Sequence, residues 1–194
     1  MHRIACKMVM KYLPKEITKN ILYQYAGFVI TAGLSFLLSI FLARNLPPEN
    51  FGYFITATSA GAVLTVLIEW GCRAIIQREA FSSSNDSTKS LEKLRLYFGQ
   101  TIVVSLLLFL SGCLIFSYSK TLILATVLVF WLVVITQMRS AYLRGNSYFV
   151  FDSVHMVGSR LTSAAIIVFF VLLGTENTSL ILFSWASGLL IWLI

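Results

Sequence analysis

The sequence predicts an all-α fold: a polytopic membrane protein, a bundle of six transmembrane helices with a cytoplasmic N-terminus. Three observations carry this expectation. Of 194 residues, 58% are hydrophobic and 12% charged, about half the charge of an ordinary soluble domain. Mean hydropathy is +0.83. The charges cluster between long apolar windows instead of mixing with them. Roughly 20 apolar residues cross a bilayer as a helix, the open-ended element whose backbone polar groups are satisfied there. A soluble enzyme, a disordered chain and a disulfide scaffold are excluded on composition. The cysteines Cys6, Cys72 and Cys113 show no paired spacing, so neither a disulfide nor a metal framework follows.

Each element can be justified in order. Residues 1–20 carry Arg3, Lys7, Lys11, Lys15 and Lys19 at every fourth position, with Ile4, Met8 and Tyr12 between them. They predict a cytoplasmic basic amphipathic segment on the anionic inner leaflet, interrupted at Pro14. No apolar region with a small-residue cleavage site follows the charges, so this is not a signal peptide. The six-helix lobe occupies 21–194. The uncharged run 20–43 gives a first span at 21–43. A tight external turn, Arg44 to Asn50, brings proline to the first helical position and Glu49 to the positive end of the next helix. The second span is 50–69. Ser82 to Thr88 form a polar tip, and Ser90 can cap the helix entering a third span at 96–118. The fourth is 121–138. Only 15 residues separate Arg160 from Glu176, so a fifth span must begin near Ser153, at 153–174, with Arg160 in its first turns. A sixth is 178–194.

Alternate connections differ sharply in basic charge. The N-terminus, the second loop (Arg73, Arg78, Lys89, Lys93, Arg95) and the fourth (Arg139, Arg144, Arg160) hold 13 of the 15 basic residues, leaving Arg44 and Lys120 outside. This asymmetry orients the chain. The net charge of +7 is therefore a topology signal, and no nucleic-acid partner is implied.

Polar residues at helical spacing mark inward faces: Gln24, Thr31 and Ser35 in span 1, Thr58, Thr65 and Glu69 in span 2, and Asp152, His155, Ser159 and Ser163 in span 5. Hydroxyl and small residues also mediate ordinary packing between membrane helices. Three such faces together predict an internal hydrated cleft. Glu69 precedes Arg73 by four residues, the favourable order for a helical ion pair. Asp152 and His155 are the other gate or coupling candidates, and an inward Arg160 would suit a phosphate. The triad types Asp152, His155 and Ser159 project in parallel from one helix with no oxyanion donors, so catalysis is not expected. No metal-ligand cluster and no cofactor motif is present in the sequence. Asn177-Thr178-Ser179 matches a glycosylation sequon but abuts span 6.

The stretch Leu42-Ala43-Arg44-Asn45-Leu46-Pro47-Pro48-Glu49-Asn50-Phe51-Gly52 resembles the first-span exit of bacterial polysaccharide flippases, O-antigen-type members of the multidrug/oligosaccharidyl-lipid/polysaccharide exporter superfamily. It departs from their pattern at Pro47, where glycine is usual. Glu69 to Ala80 is similar to the end of their second span and its basic loop. Leu143-Arg144-Gly145, followed by Arg160, is similar to their fourth connection. The resemblance implies the N-terminal half of a two-lobe exporter of the bacterial inner membrane, moving undecaprenyl-pyrophosphate-linked oligosaccharide to the outer leaflet. Arg44 matches the motif arginine; Arg73, Arg144 and Arg160 match basic positions more loosely as substrate-binding candidates. The chain stops at the end of span 6 without a flanking charge, which predicts one lobe lacking its second, or a half-size protein that dimerises. A cation-coupled multidrug exporter lobe and a non-transporting membrane protein are the alternative readings.

Overall fold

The computed structural model describes residues 15–82, 87–115 and 119–193, with side chains from 18–80, 96–114 and 119–193. Most of the expected basic amphipathic segment, 1–14, and the polar tip at 83–86 lie outside the described residues, as does the Ser90 side chain. Among the described residues every regular element is a helix: α1 (Lys15–Asn45), α2 (Pro48–Glu69), α3 (Cys72–Ser82), α4 (Ser87–Ile115), α5 (Lys120–Gly145), α6 (Phe149–Leu172) and α7 (Thr178–Ile191). Five of these, α1, α2, α4, α5 and α6, are long and apolar enough to cross a membrane, and α7 is a shorter apolar helix.

Helix α1 starts at Lys15, so its 31 residues run about 46 Å and carry Lys19 on the same helix as the first span. The tight external turn forms as its chemistry dictates. Pro48 occupies the first turn of α2 with Glu49 beside it, and Leu42 and Leu46 on either side of Arg44 are buried. Asn177 is not a free surface amide: its side chain accepts from the Ser179 N–H at 2.9 Å and caps α7. The Thr178 hydroxyl then donates to the Asn50 carbonyl at 3.1 Å, tying the outer ends of α7 and α2.

The central helix is α5. In its most apolar stretch 44% of residues are buried, against 17% in α1 and 11% in α4. It contacts α2, α3, α4, α6 and α7. The larger core joins Phe54 and Ala57 of α2, Val129 and Phe130 of α5, Ile167 of α6 and Leu182 of α7. Phe130 meets Trp185 edge-on, with centroids 5.6 Å apart. Helix α1 packs chiefly along α6. Much of its surface faces outwards with Leu22, Phe28, Phe36 and Leu37 exposed, as expected of a helix bathed in lipid or facing a further apolar partner.

Two features depart from the sequence expectations. The loop after the second span contains the additional helix α3. Trp70 and Gly71 adopt φ of 37° and 78°, ending α2 and turning the chain into α3. The new helix buries Cys72, Ile76 and Ala80, one residue in four, and shares a second core with Val134, Met138 and Ala141 of α5. Burial pushes the Cys72 thiol pKa up, keeping it neutral in that stripe. The break also undoes the expected Glu69–Arg73 pair: the two residues lie on different helices, and no ion pair joins them. The second departure is the start of the fifth span. Helix α6 begins at Phe149, not near Ser153, because Asp152 is neutralised inside the protein and does not mark a boundary. Arg160 is therefore the twelfth of 24 residues, about 17 Å along the helix, not in its first turns. It leaves the cytoplasmic tally of basic residues, whose excess still sets the orientation.

Close helix approach depends on Gly188. A Cβ there would lie 2.7 Å from the Ser163 nitrogen on α6, with backbone as its obstacle. Gly188→Ala is expected to push α6 and α7 apart and to cost about 1–3 kcal/mol, read as a lowered unfolding temperature in detergent.

Candidate functional site

Polar side chains converge in two cavities along α6. The first, of about 190 Å³, lies at the middle of the bundle among α1, α2, α6 and α7, lined by Ser35, Ser39, Thr58, Arg160, Ser163 and Trp185. The Arg160 Nε donates to the Ser35 hydroxyl at 2.8 Å. Ser35 in turn donates to the Thr31 carbonyl at 2.7 Å, closing one turn of α1 behind it. The guanidinium carbon stands 4.8 Å from the centroid of Trp185, a cation–π distance. Among the described residues no carboxylate pairs with Arg160. Trp185 Nε1 is buried without a hydrogen-bond partner. The lining thus offers a cation, an indole ring and several hydroxyls, with no fixed negative charge.

Such a site is chemically one-sided. An arginine at the depth of a bilayer centre costs about 2.5–3.5 kcal/mol on insertion scales. A neutral hydroxyl and an aromatic face offset only part of that, since a cation–π contact contributes about 0.5–2 kcal/mol. The remaining demand is for an anion, and the guanidinium fork is the group best suited to donate paired hydrogen bonds to a phosphate.

The second cavity, of about 490 Å³, opens near the turn between α5 and α6, where Arg73, Gln137, Ser140, Arg144, Asp152 and His155 contribute to its lining. Arg144 Nε lies 3.3 Å from the Asp152 carboxylate, and its Nη2 donates to the Ser140 hydroxyl at 2.9 Å. Ser140 donates to Asp152 in a short hydrogen bond. Asp152 and His155 are buried. Gln137 Oε1 and His155 Nε2 have no partner, and the imidazole faces the Trp192 ring with centroids 6.0 Å apart.

Of the residues singled out from sequence, the structure brings together Arg73, Arg144, Asp152 and His155 in the lower cavity, and places Arg160 alone in the upper one. Arg44 is exposed at the outer end of α1 and lines neither. Glu69, the last residue of α2, also lines neither. The polar stripes divide likewise. Gln24 reaches the lower cavity and Ser35 the upper, while Asp152, His155 and Ser159 line the lower and Ser163 the upper. Thr31 and Thr65 spend their hydroxyls on the carbonyls of Gly27 and Gly61 in their own helices. Arg139 donates to the Trp192 carbonyl at 2.6 Å and closes the end of α7. Sequence reasoning missed Ser39, Ser140 and Trp185. The first two stand four residues from Ser35 and Arg144 and could have been found by that spacing; Trp185 carried no signal.

A family model described as polysaccharide biosynthesis protein matches residues 17–194. No curated protein and no solved structure matches the chain.

Proposed function

The chain belongs to the polysaccharide biosynthesis protein family, and on that premise we propose that it is one lobe of a flippase for lipid-linked oligosaccharide. The cargo is an undecaprenyl-pyrophosphate-linked repeat unit, such as an O-antigen unit of lipopolysaccharide. It passes from the cytoplasmic to the outer leaflet of the bacterial inner membrane, and no covalent bond is made or broken. The supporting observation is Arg160: a mid-span guanidinium with no carboxylate partner among the described residues, set in a cavity of hydroxyls. The pyrophosphate supplies the missing negative charge while the polyprenyl tail stays in the bilayer. A second lobe, or a second copy, completes the cleft, and rocking of the two exposes the headgroup site to each side in turn. A cation-coupled drug exporter would need an available buried carboxylate. Asp152 is buried but already engaged by Arg144, which favours the lipid-linked anion.

The test is translocation in proteoliposomes carrying this chain, alone and together with a second six-helix lobe of the same family. Lipid-linked oligosaccharide loaded in one leaflet should become accessible to lectin in the other. Flipping that is equally fast in empty vesicles, or supported equally for a neutral glycolipid, would contradict the proposal. Ser35→Ala keeps the arginine but removes its anchor, and is expected to lower transport about 3- to 10-fold, the effect of one hydrogen bond of about 1 kcal/mol, without loss of folded protein.

A further inference from the structure

We infer that the cytoplasmic cavity is a second anion site, one that takes a phosphate-type group by exchange for Asp152 on Arg144. The site goes beyond the Arg160 reading and stands apart from it, because the two cavities share no lining residue.

Five observations point the same way. Two guanidinium groups and one carboxylate, Arg73, Arg144 and Asp152, line the cavity, leaving one positive charge that a single phosphate-type anion neutralises. Among the described residues Arg73 has no ion-pair partner, and Nη1 of Arg144 makes no hydrogen bond. The Arg144–Asp152 contact, at 3.3 Å, is longer than the about 2.7–2.9 Å of a strong charge-assisted bond. The hydrogen bond to the Asp152 carboxylate comes from the Ser140 hydroxyl, while Arg144 Nε donates to the Ser140 carbonyl at 3.3 Å, so Arg144 meets Asp152 as an ion pair and not as its hydrogen-bond donor. Finally, the buried His155, 6% exposed, carries an unpartnered Nε2 and lines the same cavity. Its imidazole adds a polar atom with no role in the fold. Asp152 is thus the resident competitor: it neutralises Arg144 and yields it to a phosphate, which accepts two parallel N–H bonds. The position at the cytoplasmic end of the bundle suits both a lipid phosphate at the inner leaflet and a soluble one.

The readout must be specific to this cavity. The full chain with labelled histidine rings, in bilayer discs of phosphatidylcholine, has two histidines, His2 and His155; His155→Asn identifies the second signal. Inorganic pyrophosphate should shift the His155 signal saturably. Asp152→Asn, nearly isosteric and still able to bond Ser140, should lower the half-saturating concentration at least about tenfold, as expected when one charged competitor is removed. Arg144→Lys keeps the charge beside Asp152 but not the fork, and should raise it several-fold. Discs doped with phosphatidic acid form the second arm. A shift with pyrophosphate assigns a soluble phosphate, and a shift with phosphatidic acid alone assigns a lipid headgroup; either supports the site. A His155 signal unmoved by both would overturn it. So would an Asp152→Asn protein that binds no tighter than the native chain, or an Arg144→Lys protein that binds as well.

Discussion

Arg160→Gln is expected to weaken capture of a pyrophosphate-linked lipid about 10- to 100-fold, the loss of charge-assisted hydrogen bonds contributing about 1.5–3 kcal/mol. Transport should fall in parallel. The same substitution is expected to leave the unfolding temperature unchanged or to raise it. It removes a charge at mid-span for which the described residues supply no carboxylate, only Ser35 at 2.8 Å and the Trp185 face, and such charges are costly in a membrane. A residue kept for packing would behave in the opposite way: losing Arg160 would lower stability, with transport falling only as folded protein is lost. Arg160→Lys separates charge from geometry. It should bind better than glutamine and worse than arginine, since an ammonium supplies the charge without the planar fork. The two quantities, binding from titration and stability from thermal unfolding in detergent, can be measured on one preparation.

The second large effect is on stability. Arg144→Leu is expected to cost about 3 kcal/mol, at the lower end of what breaking a buried ion pair costs. It strands the Asp152 carboxylate, which is 2% exposed, with a hydroxyl that satisfies one hydrogen bond but not the charge. Asp152→Asn alone should cost much less, because the Arg144 side chain is 20% exposed and can turn into the open cavity. Adding Asp152→Asn to Arg144→Leu should therefore recover most of the loss. The asymmetry and the rescue are both read from thermal unfolding of the three proteins beside the native one. Equal costs for the two single changes would place the pair outside the packed interior.

How much of this was legible in the sequence follows from what each signal can carry. Charge-free windows reveal helices wherever the intervening charges face water, so α1, α2, α4 and α5 stood out between Lys19, Arg44, Glu69, Arg95, Lys120 and Arg139. The rule failed at Asp152 and Arg160, charges that the bundle itself accommodates. There the charge pattern puts the start of the fifth span four residues inside helix α6, and puts near the interface an arginine that lies at mid-helix. Helix α3 was written in plain sight, in the one-in-four spacing of Cys72, Ile76 and Ala80, but its polar surroundings made it look like loop. The expected Glu69–Arg73 pair assumed an unbroken helix; Trp70 and Gly71 in left-handed geometry broke it.

The site was half legible. The stripe from Asp152 to Ser163 follows from helical spacing alone, and the structure buries all four of its predicted members. The Arg144–Asp152 pair was not foreseeable, because it crosses the α5–α6 hairpin, and the register of two helices across a turn is set by packing. The Arg160–Ser35 bond spans 125 residues, and only the pairing of α1 with α6 brings its ends together. Trp185 beneath the guanidinium depends on the same long-range assembly.

The most direct measurement follows the indole N–H of Trp185, a residue that lines the Arg160 cavity and whose Nε1 is buried without a partner. In protein with labelled tryptophan, Trp185→Phe identifies its signal among the four tryptophans. The chain is then titrated with undecaprenyl-pyrophosphate-linked oligosaccharide and, separately, with the polyprenol of the same length lacking the pyrophosphate. A saturable shift with the first, absent with the second and lost in Arg160→Gln, is the predicted result. An unmoved signal with the pyrophosphate-bearing lipid, or equal shifts with both lipids, would contradict a pyrophosphate site at Arg160.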